Sequence, residues 1–326
     1  MPRAETTLPG LALARGDLDR HAELRARPGL LEGLLADAAT RVLALSGGRA
    51  PVELTPAGPV LRLRAPRPGD AEALVVLLGL DGDLAAGGAG TAYLAVIRPE
   101  EPGDAEETTA AGGPGTDLST LRAVGADLPG RDAGLFTTAL ALANWHATHG
   151  HCPQCGAGTT PELAGWIRRC PRDGSEHYPR TDAAVIMAVV DGADRLLLAR
   201  GVGFTARGIS VLAGFVEPGE SLAAAVEREV GEEVGVGVRD VTYVGDQPWP
   251  FPCSLMVGFT ARATSTELRP QPGEIEAASW FTREQLAAAL ADGSVHVPPR
   301  VSIARRLIER WYGDELDVPD TVVRAR

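Results

Sequence analysis

The segment Gly214–Val236, GFVEPGESLAAAVEREVGEEVGV, constrains the fold more than any other stretch of this 326-residue chain. Leu222, Val226 and Val230 recur every fourth residue and form the apolar stripe of a helix predicted over Ser221–Val234. Glu229 lies three residues before Glu232 and four before Glu233, so all three carboxylates leave the helix on one side. Like charges so placed repel, and something positive has to compensate them. An all-oxygen cluster suits a hard divalent cation, Mg²⁺ or Mn²⁺. Gly214 and Gly219 permit a tight turn into the helix, with Glu220 and Ser221 at its anion-favouring N-terminus.

The segment satisfies G-x5-E-x7-R-E-U-x-E-E-x-G-U, U being apolar, at every fixed position. It resembles the catalytic box of the Nudix hydrolases, which cleave a nucleoside diphosphate linked to another moiety with water and divalent metal. The resemblance implies Glu229 and Glu233 as principal metal ligands and Glu232 as a further ligand or the general base. Arg228 and Glu220 then orient the helix and its carboxylates.

Eleven residues past Val236 comes Gln247-Pro248-Trp249-Pro250-Phe251-Pro252-Cys253-Ser254. Alternating prolines hold it extended and stiff, presenting Trp249 and Phe251 at fixed angles suited to base stacking. On its own such a stretch reads equally as a proline-rich connection with two core aromatics. Following the box, it is similar to the S-Q-P-W-P-F-P-x-S array of the NADH pyrophosphatase branch, also described as NAD-capped RNA hydrolases. Asp246 replaces the leading Ser. The same resemblance marks Tyr178, in His177-Tyr178-Pro179-Arg180, as a substrate contact. It also gives Ala213 a metal-facing carbonyl, Phe215 an aromatic face for the base, Glu274 a further metal ligand and Ala304 a substrate-lining position. Cys253 is expected as a thiol outside any disulfide.

Cys152-x2-Cys155-x14-Cys170-x2-Asp173 has zinc-ribbon spacing with Asp at the fourth position. A carboxylate can ligate zinc, so a structural Cys3Asp site is one reading. His151 and His177 are alternative ligands, and knuckles kept by packing without metal are a third reading.

All 31 basic residues are arginine, which excludes Schiff-base, phosphate-loop and pyridoxal lysines. A net charge of -12 disfavours bulk attraction to nucleic acid, DNA included. Cationic contacts to phosphate therefore fall to arginine, with Arg168, Arg169, Arg172, Arg180, Arg300, Arg305 and Arg306 as candidates. No signal-like or membrane-spanning run is visible, and a cytoplasmic protein is expected.

The expected class is α+β. Residues 1–145 read as a β-rich N-terminal scaffold or dimerisation domain, 146–180 as a zinc-ribbon-like insert, and 181–326 as a Nudix α/β/α sandwich. The first domain shows a hairpin at Arg41–Ser46 and Ala50–Leu54, strands at Val60–Arg64, Leu74–Leu80 and Tyr93–Ile97, a loop over 99–117, and a helix from Asp132 to Thr148. The last shows strands at Ala184–Val190, Arg195–Ala199, Val241–Gly245 and Leu255–Ala261, and further helices at Thr282–Ala291 and Arg300–Tyr312. The expected activity is hydrolysis of NAD(H) to nicotinamide mononucleotide and AMP, with removal of NAD caps from RNA 5′ ends. ADP-ribose or a dinucleoside polyphosphate is the alternative substrate. A zinc-ribbon RNA-binding module with a degenerate hydrolase domain is the non-enzymatic alternative, and the intact box carboxylates argue against it. The resemblance also implies a homodimer.

Overall fold

Two mixed sheets, each built around one parallel strand pair, organise the chain. The computed structural model describes residues 7–82, 90–99, 116–321 and 323, and contacts divide it into two compact units. The N-terminal unit comprises Leu13–Thr181 together with Trp249–Cys253.

In that unit the helix α1 (Leu30–Ala36) precedes β1 (Arg41–Ser46), β2 (Arg49–Thr55), β3 (Gly58–Leu61), β4 (Leu74–Gly82), β5 (Gly90–Arg98) and β6 (Thr116–Thr120). The sheet runs β3-β2-β1-β5-β4, with β6 on β2. The hairpin between β1 and β2 turns on Gly47 and Gly48, both at positive φ, as a two-residue turn matching strand twist requires. The strand expected over Val60–Arg64 stops at Leu61, where the backbone turns, and Arg64 rejoins as a bridge to Val42. Of the loop expected over 99–117, residues 100–115 lie outside the described residues, and Thr116 and Asp117 belong to β6.

Two helices follow, α2 (Leu121–Val124) and α3 (Gly130–Thr148). Alpha3 packs on β1, β4 and β5 and buries Leu135, Phe136, Ala139, Leu142 and Trp145. A small antiparallel sheet of β7 (Thr160–Glu162), β8 (Ile167–Arg169) and β9 (Glu176–His177) carries the cysteine cluster.

The C-terminal unit comprises residues 7–12, Asp182–Pro248 and the chain from Ser254 onward. Its strands are β10 (Asp182–Val190), β11 (Leu196–Gly201), β12 (Leu212–Phe215), β13 (Val238–Trp249), β14 (Ser254–Ala263) and β15 (Ile275–Phe281). They order as β13-β14-β10-β11-β15, with β12 on β10. Its helices are α4 (Leu222–Val234), α5 (Arg283–Ala291) and α6 (Ile303–Tyr312). Strand alternation divides β10 between two cores. Ile186, Ala188 and Val190 pack with Leu286 of α5 and Ile303, Leu307, Ile308 and Trp311 of α6. Val185, Met187 and Val189 pack with Ala225, Val226, Val230 and Val234 of α4. Both faces of the sheet are thus covered, which is why β10 reads as an unbroken apolar run. This is the sandwich expected.

Two further segments are placed by packing. Leu8 and Leu11 join the α5–α6 core, and Leu8 N–H bonds the Val244 carbonyl at 2.5 Å. The ribbon segment falls within the N-terminal unit. Among the described residues no helix is long and apolar enough to cross a membrane.

Candidate active site

Alpha4 opens on Ser221, whose Oγ accepts the Ala224 N–H at 3.2 Å, and closes on Gly235 at φ 71. Val226, Val230 and Val234 are fully buried beneath it. Each such side chain contributes about 1.5–3 kcal/mol, while each like-charge pair on the outer side costs only about 0.2–0.5 kcal/mol. Packing therefore holds the carboxylates together. Leu222, expected on the buried stripe, is 39% exposed, because the first helical turn extends beyond the sheet-facing core.

Arg228 ties the acidic residues into one network. Its Nε and Nη2 donate to Glu220 at 2.9 and 3.0 Å, its Nη1 to Glu229 at 2.9 Å and Glu232 at 3.0 Å, and Nη2 also to the Phe215 carbonyl at 2.9 Å. One guanidinium thus fixes the helix to β12 and offsets its negative charge. Bonding to Glu220 first, then to Glu229 and Glu232, raises the Arg228 pKa against the opposing effect of burial. Burial pushes the Glu229 carboxyl above its ordinary range, Arg228 pulls it back, and the charges of Glu232 and Glu274 push it further up.

Gly214 on β12 shows how close that carboxylate comes. A Cβ there would meet Glu229 Cδ at 1.9 Å and its two oxygens at 2.0 and 2.1 Å. The glycine is needed for space. Its neighbours Ala213 and Phe215 pair with Ile186 and Ala184 of β10, which sets β12 beside the helix. Glu274 is placed by a loop that caps α4: Arg269 N–H bonds the Val234 carbonyl at 2.8 Å and Gln271 N–H the Glu233 carbonyl at 2.8 Å. The Gln271 carbonyl then accepts the Glu274 N–H at 3.2 Å. Glu229 and Glu233 share one helix face, Glu229 lies where a Cβ on Gly214 would go, and the charge of Glu274 reaches Glu229, so the donors on offer are all carboxylate oxygens. Such a set fits Mg²⁺ or Mn²⁺.

The aromatic array lies in the N-terminal unit. Trp249 and Phe251 meet edge to face, centroids 4.8 Å apart at 74°. The Arg122 guanidinium lies 4.9 Å from the Trp249 ring centre and 3.8 Å from that of Phe251. Neither Arg122 nor Asn144, which donates to the Pro250 and Pro252 carbonyls at 3.0 and 3.1 Å, stands out in the sequence. Their only link to the array is through space. Pro248 is half-buried, and Ser254 is buried at the start of β14. Asp246, where the array would begin with Ser, accepts a short hydrogen bond from the Tyr243 hydroxyl. Cys253 is in no disulfide.

Two expected substrate contacts are placed differently. Gln247 is completely buried, and its Nε2 donates to the Val301 carbonyl at 3.0 Å, so it fastens β13 internally. Ala304 is 3% exposed in the α6 core. Tyr178 and Phe215, by contrast, are 64% and 58% exposed, unusual for such rings. The Tyr178 hydroxyl donates to Glu176 at 2.5 Å.

Most candidate arginines are engaged elsewhere. Arg305 is fully buried against Glu309 at 2.7 Å, which removes it as a phosphate contact. Arg306 pairs with Glu309, Arg300 with Asp320, and Arg169 with Glu162 and Glu176. Arg168 bonds Thr159 and His146, and Arg172 the Cys155 carbonyl.

In the cysteine cluster, ligand atoms of Cys152, Cys155, Cys170 and Asp173 all lie within 4.8 Å of one another. Zinc–thiolate bonds of about 2.3 Å imply tetrahedral sulfur spacings near 3.8 Å. The Cys155–Cys170 sulfurs are 3.5 Å apart, and Cys152 Sγ is 3.4 Å from Asp173 Oδ2. Two matching turns build the cluster. Gly156 N–H bonds the Cys152 carbonyl at 2.9 Å, and Gly174 N–H the Cys170 carbonyl at 3.0 Å. Both glycines have positive φ, so Asp173 occupies in its turn the place of Cys155 in the other. That selects Asp173 over the histidines: His177 bonds Ser175 Oγ at 3.1 Å, and His151 is exposed. Burial opposes ionisation of Cys152, but bonds from Ser175 and the Cys155 and Gln154 amides bring it down to about 7. The donor set fits zinc.

Two stretches of the chain match known domain families. Residues 179–301 match the NUDIX domain family, and residues 147–178 the NADH pyrophosphatase zinc ribbon domain. A Mycobacterium bovis protein named NAD-capped RNA hydrolase NudC is 47% identical over 204 residues, 60% of this chain and 65% of its own. Its Mycobacterium tuberculosis counterpart is 46% identical over the same span. A Homo sapiens NAD-capped RNA hydrolase is 43% identical over 194 residues, 56% of this chain and 42% of its own. The match thus spans less than two thirds of these relatives.

Proposed function

We propose that the Nudix domain this chain carries over residues 179–301, behind an NADH pyrophosphatase zinc ribbon at 147–178, hydrolyses the pyrophosphate bond of NAD(H). The products are nicotinamide mononucleotide and AMP, and on NAD-capped RNA the same cleavage leaves a 5′-monophosphate end. One observation carries this reading: the Glu229 carboxylate, on the helix face it shares with Glu233, lies against Gly214 and feels the charges of Glu232 and Glu274. The names of the relatives support the choice of substrate.

A divalent Mg²⁺ or Mn²⁺, when bound, neutralises the diphosphate oxygens and acidifies an attacking water. Glu229, Glu233 and Glu274 would hold it, with the Ala213 carbonyl adding a neutral oxygen. Glu232, at 59% exposure far more open to solvent than Glu229, is the carboxylate we assign to receive the proton of the attacking water. Arg228 and Glu220 keep the helix and its carboxylates in register with β12. Phe215 and Tyr178 offer exposed aromatic faces to the dinucleotide, and Trp249 and Phe251 a rigid pair for a base. Cys152, Cys155, Cys170 and Asp173 would hold a structural zinc, since the thiolate turns close around their centre. A thiol cluster of this kind supports a reducing, cytoplasmic setting. The resemblance supports a homodimer.

The test is a kinetic comparison of NADH, NAD, ADP-ribose and NAD-capped RNA with Mn²⁺. The reading requires NADH to exceed ADP-ribose in kcat/KM. A large preference for ADP-ribose would instead place the chain among Nudix hydrolases of other substrates. Equal processing of NAD-capped and triphosphate RNA would overturn the cap-specific part.

A further inference from the structure

The array Trp249–Cys253 is the turn that joins β13 to β14. Pro248, Pro250 and Pro252 lack an N–H, and the segment leaves the ladder after Trp249, the last residue of β13, until Ser254 opens β14. Within it, the Phe251 N–H bonds the Trp249 carbonyl at 2.7 Å. The carbonyls of Pro250 and Pro252 instead face Asn144, and because both are acceptors, the amide group turned toward them has to be the NH₂. Asn144 lies near the C-terminal end of α3, one residue before the buried Trp145 that anchors the helix there. Arg122, from α2, covers the same two rings that Asn144 fixes through their flanking carbonyls.

We infer that Asn144 is a positioning residue for substrate recognition, setting the angle at which Trp249 and Phe251 meet a purine or nicotinamide base, with Arg122 as the second brace. This rests on the proposed NAD(H) reading. The clamp acts before the reaction, so its loss appears in binding. Pre-organisation is forfeited and the base meets a mobile array.

Asn144→Leu removes both donors at similar volume, and Asn144→Asp keeps the shape while setting an acceptor against two carbonyls. Each should raise KM for NADH about tenfold, the worth of one net hydrogen bond, with kcat within about twofold of wild type. NADH affinity without turnover, read by energy transfer from tryptophan to the reduced nicotinamide in chelator, should weaken by the same factor. Arg122→Gln, at an exposed position, provides a variant that does not depend on helix packing and should move KM in the same direction. A role in folding alone would lower kcat and active fraction together and leave KM unchanged, which overturns the inference. So does wild-type KM and affinity in all three variants. Wild-type protein that neither binds nor cleaves NADH would overturn the proposed function itself, and the inference with it.

Discussion

Replacing Gly214 by alanine tests the carboxylate cradle with a single methyl group. The backbone at Gly214 is outside the left-handed region, so alanine is not strained there and the conflict is one of space alone. The new Cβ would lie 1.9 Å from Glu229 Cδ, and ordinary contact begins at 3.4 Å. The carboxylate must therefore retreat by about 1.5 Å, and a displacement of about 1 Å at a reacting centre can cost roughly a hundredfold in rate. Gly214→Ala should lower kcat on NADH by at least about a hundredfold and raise the Mn²⁺ concentration needed for half activity. The thermal midpoint should change by only a few degrees, because Val226, Val230 and Val234 still anchor the helix. Steady-state kinetics against a Mn²⁺ titration, with a melting curve on the same preparation, measures all three. Wild-type kcat and metal dependence in this variant would refute the claim that Glu229 acts from against β12.

Other perturbations separate site from scaffold. Asp173→Ala should release zinc from purified protein, measured by elemental analysis, while Asp173→Cys should retain it against higher chelator concentrations. Arg305→Met leaves the buried Glu309 carboxylate to Arg306 and the Leu316 N–H and should cost about 1–3 kcal/mol of stability, read by urea unfolding, with activity preserved in the folded fraction. Glu229 supplies a pH test. Its folded pKa is raised above 4.5, by burial first, so the folded state holds its proton longer than the unfolded chain, and metal-free stability falls as pH rises from about 4.5 through the folded pKa. Glu229→Gln should therefore stabilise chelator-treated protein at neutral pH, with the gain fading as pH drops toward 4.5. A gain independent of pH would contradict the assignment.

Features written in local spacing were legible in the sequence. The α4 carboxylates follow from helical period alone, and the Cys152–Asp173 cluster from short, symmetrical turns. What was hidden depends on contacts distant in the chain. Asn144 and Pro250 are 106 residues apart, and no periodicity links them. Gln247 looked like a substrate contact because it lies in a recognition array, yet its amide serves a backbone carbonyl 54 residues away. Arg305 looked like a surface cation, but helical period places it on the buried side of α6 with Glu309 four residues on. Beta15 escaped notice because Ile275–Phe281 carries little apolar alternation, and pairing with β11 defines it instead. Leu222 kept the right spacing but fell one turn beyond the covering sheet.

The most direct test of hydrolysis at the α4 carboxylates is product analysis of NADH incubated with Mn²⁺ and either wild-type or Glu233→Gln protein. The wild type should release AMP and reduced nicotinamide mononucleotide in equal amounts, and the variant, equally folded, should release neither above background. Cleavage by Glu233→Gln at the wild-type rate, or products from a bond other than the pyrophosphate, would contradict the account.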